Sequence, residues 1–549
     1  MEVTFPGSLC PVPRFCSESS YPCVSPPRST KSLGKPPPPK VPPSTAALLP
    51  FHQPRCTSAT MAGSNTNPSG DRHNHESSPL LPGSNHHSNH THTFADGIAH
   101  EGESGRHGIN PKIFLQVVAR SSNKVSMYVN VLWPFVPIAI ILRYTTNAHL
   151  WIFAASYIAM IPAANLLGFA GQEFARKMPK VAGILIETTF GSVVEVILFI
   201  VLIAKHKSNT DEGEDNGDEG NLIPIIQAAI LGSIMTNLLL CLGLCFFFGG
   251  IRRHEKSQKF HAVISEVGSG LLLVAAFGLL IPSAFYSALK SETVSALQEK
   301  FTEGKLEEDI VRISQWTSIA LIVAYLCYLI YSCTSAHSIF DEVIEMDEHA
   351  DADREDDMAK AKLTLTETFT ALAIAIAFVT WLLIILVGNI EEVVEAGVPD
   401  QFLGLILLPL VEKAAEHLTA IDEAWDGVIN VALYHCIGPS IQTALLNAPL
   451  VVLVGWAIGK PMDLNFEIFM IALLVLSILV VGNFLRDQES TWLEGALLVI
   501  IYIIIAIASY YYPNPDVATT NDIELVKQNV TISLDLYKQL LAALPKPEL

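Results

Sequence analysis

Charge is scarce in this chain. Asp, Glu, Lys and Arg make up 16% of its 549 residues, against roughly 25% in soluble domains. The charge that is present leans acidic, to a formal net of −20, which disfavours nucleic acid as a partner. The nine cysteines include no CxxC pair, so neither a zinc ribbon nor a disulfide framework is indicated. Cys241, Cys245, Cys327, Cys333 and Cys436 fall in or beside apolar runs and read as small buried hydrophobes. No charged, apolar and small-residue succession opens the chain, so a signal peptide is not expected. No acidic stretch has the spacing and glycine of an EF-hand loop. No motif supports a soluble enzyme, and the expectation is that the protein is not an enzyme at all.

What the chain has instead is apolar residues. They make up half of it, with a mean hydropathy of +0.38. They gather in runs of about 20, the length that crosses roughly 30 Å of hydrocarbon. Eleven runs are read, at 125–143, 149–169, 181–204, 222–249, 261–285, 315–334, 364–388, 402–422, 430–456, 464–483 and 491–512. The expected fold is an all-α polytopic membrane protein of about 11 transmembrane helices embedded in lipid. Residues 1–110, rich in Pro, Ser, Asn and His, read as a disordered tail. Its histidines His73, His75, His86, His87, His90 and His92 read as solvated low-complexity sequence rather than a metal site. The first half of the bundle is 111–335, an acidic linker 336–363 carries DEVIEMDEHADADREDD, the second half is 364–512, and 513–549 is a tail.

Lys and Arg in short loops set the orientation. Arg176, Lys177, Lys180, Arg252, Arg253, Lys256 and Lys259 all fall on the N-terminal side of the bundle. That side, with the N-terminal tail and the acidic linker, is therefore expected to be cytosolic. The C-terminal tail, with its Asn529-Val530-Thr531 sequon, is expected on the other side.

Two of the runs carry carboxylates in settings where a bilayer tolerates charge poorly. The run 181–204 carries Glu187 and Glu195, and the run 402–422 carries Glu412, Lys413 and Glu416. A charge at the bilayer centre costs roughly 3 kcal/mol on insertion scales, so each is a candidate functional residue. Gly191-Ser192-Val193-Val194-Glu195 aligns with Glu412-Lys413-Ala414-Ala415-Glu416, and each run is followed by a span with polar residues: Ser233 and Asn237 in one, His435, Ser440 and Gln442 in the other. Matched halves with polar-bearing helices point to a transporter with a site near the midplane. With five spans in each repeat, the second to sixth runs and the seventh to eleventh, the two repeats run in opposite directions.

Hard cations take oxygen ligands. Glu195 and Glu416 would supply the charge and be the metal-binding pair; Ser192, Ser233, Asn237, Ser440 and Gln442 would supply neutral oxygens. The alternative for each single Ser, Asn or Gln is a helix-packing hydrogen bond. Glu187 reads as a third ligand or a gate facing the cytosol. His417 and His435 read either as proton relays or as packed, hydrogen-bonded histidines. A buried carboxylate that takes up a proton or a cation makes exchange of the two chemically natural. A channel or a non-transporting scaffold remains a remote alternative. No cofactor is expected beyond the transported cations and H⁺, and a homo-oligomer is left open.

The stretches GLILLPLVEKAAEHLTA (404–420), VLVGWAIGKPMDLNFE (452–467), GNFLRDQESTWLEGALLVIIYIIIAIA (482–508), TTFGSVVEVI (188–197) and QAAILGSIMTNLLLCLG (227–243) resemble vacuolar cation/proton exchangers of the calcium:cation antiporter superfamily. The resemblance covers about residues 120–512. It implies two inverted five-helix repeats, a vacuolar membrane, and exchange of lumenal protons for cytosolic cations. It also implies a Gly-Asn before the essential Glu in each half. Here Ser192 stands at the first Asn position, and Glu412-Lys413 replaces the second Gly-Asn. Lys413 is a donor without acceptor capacity. Its positive charge repels a divalent ion more than a monovalent one. The sequence VEKAAEHLTAIDEAW is also similar to fungal vacuolar monovalent cation/proton antiporters. The expectation is therefore Na⁺ or K⁺ as cargo, with low-affinity Ca²⁺/H⁺ exchange as the alternative, since Glu187 and Glu412 could restore negative charge.

Overall fold

The computed structural model describes residues 104–106, 108–178, 180–206, 222–253, 257–292, 303–335, 347, 360–460 and 462–512. These lie within one unit, Ser88–Leu549. The Cys- and His-bearing part of the N-terminal tail, most of the acidic linker and the C-terminal tail with its sequon fall outside the described residues.

The described residues are almost entirely helical, because backbone groups in hydrocarbon must be satisfied within the chain. A short amphipathic helix, α1 (Pro111–Arg120), comes first. Six long helices follow: α2 (Lys124–Thr145), α3 (His149–Ala175), α4 (Lys180–Lys205), α5 (Ile223–Arg252), α6 (Ala262–Glu292) and α7 (Glu303–Ser335). The second half has α8 (Leu365–Val387), the short α9 (Ile390–Glu395), α10 (400–412), α11 (Ala414–Asp426), α12 (Ile429–Ala457), α13 (Ile468–Phe484) and α14 (Trp492–Tyr510).

Among the described residues, nine helices are long and apolar enough to span a membrane. Two of the eleven expected runs meet that test less simply. The run 402–422 is divided between α10 and α11 at Lys413. The run 464–483 is the 17-residue α13. Large apolar side chains such as Trp151, Phe277, Trp316 and Ile504 face outward, as a lipid-facing surface requires.

The two halves are inverted repeats, and the correspondence is visible in local geometry. α5 carries a π-helical turn at Thr236–Cys241, and its counterpart α12 carries one at Thr443–Asn447. A third, Leu403–Leu407, lies in α10. Such turns shift the hydrogen-bond register and are frequent at functional sites. Across the halves, α8 packs on α3 and α14 on α5. α5 and α10 cross backbone to backbone: a Cβ on Gly232 would strike the Leu405 carbonyl, and one on Gly404 would come within 2.8 Å of the Ile225 carbonyl. Only glycine permits that approach.

Loops at one end are also tied. Gln258–Lys259 and Glu489–Ser490 form a two-residue antiparallel pair, β1 and β2, closed by a Lys259–Glu489 ion pair at 2.8 Å. Thr364 and Glu367 form a capping box on α8, and Arg106 ion-pairs with Glu367 at 3.3 Å. Asp347, in the acidic linker, is only 6% exposed. Its carboxylate accepts from Asn430 N and Asn430 Nδ2, both at 2.8 Å, and so caps the N-terminus of α12.

Candidate cation and proton site

α4 brings Glu195 to the middle of the bundle, fully buried. The α10–α11 segment brings Glu412, Lys413 and Glu416 to meet it. The kink there is local: Lys413 has φ −93° and ψ −3°, but Lys413 N still donates to Pro409 O and His417 N to Lys413 O. Pro409 has no N–H, so it leaves the carbonyl four residues back, that of Leu405, without its helical donor. The π-turn loosens the same region, and Tyr157 Oη donates to Leu407 O at 2.8 Å.

Lys413 is the hub. Its Nζ is 3.1 Å from Glu195 Oε2 and 3.6 Å from Glu416 Oε2, and its side chain is fully buried. Glu195 Oε2 also accepts from Thr443 Oγ1 at 2.8 Å and from Asn447 Nδ2 at 3.2 Å. Thr443 and Asn447 are the first and last residues of the π-turn in α12, and their spacing of four puts both donors on one face of that helix, toward one oxygen. One ammonium and two hydrogen-bond donors thus converge on the carboxylate of the opposite repeat.

Glu416 is held differently. Its carboxylate has no hydrogen-bond partner among the described residues. Its side chain is 17% exposed, and it lines an open pocket with Gln172, Glu187, Thr188, Gly191 and His435. A Cβ on Gly191 would collide with the Glu416 carboxylate, so the bare glycine makes room for it. Glu412 is buried, also without a hydrogen-bond partner among the described residues.

The remaining sequence candidates divide. Asn237 and His417 meet at 3.0 Å, Oδ1 to Nε2, next to the Lys413 hub. Ser192 and Ser233 are buried with hydroxyls that have no partner among the described residues. Ser440 donates back to Cys436 O on its own helix at 2.9 Å. Gln442 is buried in the same helix, but no hydrogen bond to a site carboxylate is found among the described residues. Glu187 joins a second cluster: His435 Nε2 is 3.6 Å from Glu187 Oε1, and His435 Nδ1 is 2.7 Å from Glu423 Oε2. The pocket connects this His435 cluster to Glu416.

Three residues of the site are absent from the sequence reading. Thr443 directly follows Gln442 and Asn447 lies one turn on, on the same helix face, but which face of α12 meets α4 is set by tertiary packing, which leaves no compositional mark. Glu423 sits beyond the apolar run, where a carboxylate reads as solvated; α11 extends far enough to turn it onto His435.

Chemically, the arrangement offers one carboxylate already matched by an ammonium and two donors, and one carboxylate facing an accessible pocket. Such a site can hold a small cation or a proton at Glu416.

Comparison with known proteins agrees. The sodium/calcium exchanger protein family matches residues 148–334 and 368–511. The chain is 32% identical over 389 residues to vacuolar cation/proton exchanger 2 of Oryza sativa subsp. japonica, covering 71% of this chain and 82% of that protein. It is 30% identical over 390 residues to the vacuolar calcium ion transporter of Schizosaccharomyces pombe, covering 71% and 86%. Its fold matches the solved structure of native YfkE with a TM-score of 0.54 at 24% identity, over 70% of this chain and all of that one. An inverted-repeat helical bundle with paired carboxylate helices, matched in order through both halves, places this chain in the sodium/calcium exchanger protein family of the calcium:cation antiporter superfamily.

Proposed function

We propose that the protein is an antiporter of the vacuolar membrane that moves a cytosolic monovalent cation, Na⁺ or K⁺, into the acidic lumen in exchange for H⁺. The observation that carries this reading is the fully buried Lys413 Nζ, 3.1 Å from Glu195. It matches the charge of one site carboxylate from within the chain. Glu416, on the pocket side, is left as the exchangeable group. Repulsion from a fixed ammonium scales with the charge of the incoming ion and so weighs more heavily on a divalent one.

The vacuolar assignment is supported by the names of the relatives. The orientation is supported by the gathering of Arg176, Lys177, Arg252 and Lys259 at one end of the bundle. The pocket lies at that end, beside Gln172 in the last turn of α3. A lumen about two pH units more acidic than the cytosol would supply about 2.7 kcal/mol per proton. That sustains roughly a hundredfold gradient of a monovalent ion when one proton is exchanged and voltage is neglected.

Ca²⁺/H⁺ exchange is the second reading. It is favoured by the buried Glu412, which adds a third carboxylate beside the hub, and by a relative named as a calcium transporter. The two are separated by acid-loaded proteoliposomes given Na⁺, K⁺ or Ca²⁺ in turn. On the lead reading Na⁺ or K⁺ collapses the pH gradient and Ca²⁺ does not, and Lys413→Asn shifts the preference toward Ca²⁺. A gradient collapsed by Ca²⁺ alone sinks the monovalent reading.

A further inference from the structure

Behind the carboxylate site lies a cluster that the exchange chemistry does not use. Cys241 and Cys245 are one helical turn apart on α5 and share a face. Cys436 comes from α12, in the opposite repeat. All three are fully buried. Cys436 Sγ is 3.4 Å from Cys241 Sγ and 3.8 Å from Cys245 Sγ. The three sulfurs lie within 4.8 Å of one another.

We infer that Cys241, Cys245 and Cys436 form a binding site for one soft divalent d¹⁰ ion, Zn²⁺ or Cd²⁺, joining the two repeats beside the cation path. The spacing fits: zinc–sulfur bonds of about 2.3 Å place the sulfurs of a trigonal site about 4.0 Å apart. Sulfur ligands select such ions, whereas the hard carboxylate site selects alkali and alkaline-earth ions, so the two sites need not compete. His435, the residue before Cys436, lines the neighbouring pocket.

Cysteine binds such an ion as thiolate, so binding breaks three S–H bonds, forms three metal–sulfur bonds and releases three protons to solvent. No oxidant or reductant is needed. The bound ion ties together two helices that carry site residues, Asn237 on α5 and Thr443 and Asn447 on α12.

The test uses the full-length protein in detergent with Cys10, Cys16, Cys23, Cys56, Cys327 and Cys333 changed to Ser, leaving the three buried thiols. It is titrated with CdCl₂. The expected result is an ultraviolet sulfur-to-cadmium charge-transfer band that saturates at one Cd²⁺ per chain, accompanied by release of three protons and a rise in melting temperature. Adding Cys436→Ala or, separately, Cys245→Ala is expected to abolish the saturating band while the cadmium-free melting curve stays cooperative. The two variants guard against one failing to fold. The inference is overturned if no charge-transfer band appears, or if the band survives in Cys241→Ala/Cys245→Ala/Cys436→Ala. None of these readouts depends on transport, so the proposed exchange activity stands or falls separately.

Discussion

Lys413 Nζ lies 3.1 Å from Glu195 Oε2 with neither side chain exposed to solvent, and the two come from opposite repeats. Removing one partner of a buried ion pair strands the other, at a cost of about 3–5 kcal/mol, whereas removing both is often nearly neutral. Lys413→Met should therefore destabilise the protein strongly, and Glu195→Gln/Lys413→Met should recover most of the loss. The measurement is a double-mutant cycle of melting in detergent. Additive losses would show that the two charges do not hold each other.

Glu195 receives two further donors on the same oxygen, from Thr443 at 2.8 Å and Asn447 at 3.2 Å. Hydrogen bonds to a charged group contribute about 1.5–3 kcal/mol each. Thr443→Val keeps the shape and removes the donor, and Asn447→Leu does the same at the other end of the turn. Each is expected to destabilise by about that amount and to slow cation-driven proton efflux. Because both act on one carboxylate, the double variant should lose less than the sum. Wild-type efflux in both single variants would rule out a role for these donors in exchange.

The membrane class, the approximate helix positions and the residues now gathered at Lys413 were all readable as charge placed inside apolar runs. Hydropathy reports which segments leave water, and a carboxylate there stands out against its neighbours. What composition does not encode is helix phase. Thr443 and Asn447 share a face of α12 by their spacing of four, but that this face meets Glu195 depends on how α12 packs against α4. The same limit explains Glu187. It shares a helix with Glu195, yet it faces His435 instead of Lys413. Partition between two clusters depends on which helices α4 packs against, and that is tertiary information. The kink at Lys413 likewise divides a run that reads as one span.

Gly191 and Gly232 offer a contrast between two kinds of close approach. At Gly191 the obstacle to a methyl group is the end of the Glu416 side chain; at Gly232 it is the Leu405 backbone. A carboxylate can rotate away, but a helix backbone cannot. Gly191→Ala should leave the melting temperature nearly unchanged and sharply reduce exchange, since Glu416 is pushed from the pocket. Gly232→Ala must separate α5 from α10 and should destabilise by about 1–3 kcal/mol or more, the range for overpacking. Equal melting of the two variants would contradict this distinction.

Asp463 lies outside the spans, in the connection between α12 and α13, where its carboxylate accepts from Gln227 Nε2 at 2.9 Å and Asn465 N at 3.1 Å. Burial pushes its carboxyl from the ordinary 3.8 up to about 6, against the pull of those two hydrogen bonds. The folded state therefore binds this proton more tightly than the unfolded chain. Stability from the group is fully present below the ordinary value and is lost as pH rises through about 6. At about 1.4 kcal/mol per pH unit, the loss amounts to at most about 3 kcal/mol. Asp463→Asn retains an oxygen to accept both hydrogen bonds but cannot ionise. It should match the natural protein in acid and exceed it in stability at neutral pH. Denaturant melts of both proteins across that range decide the matter: parallel curves, or a natural protein that gains stability toward neutrality while the variant does not, would mean that Asp463 ionises without penalty in the folded state.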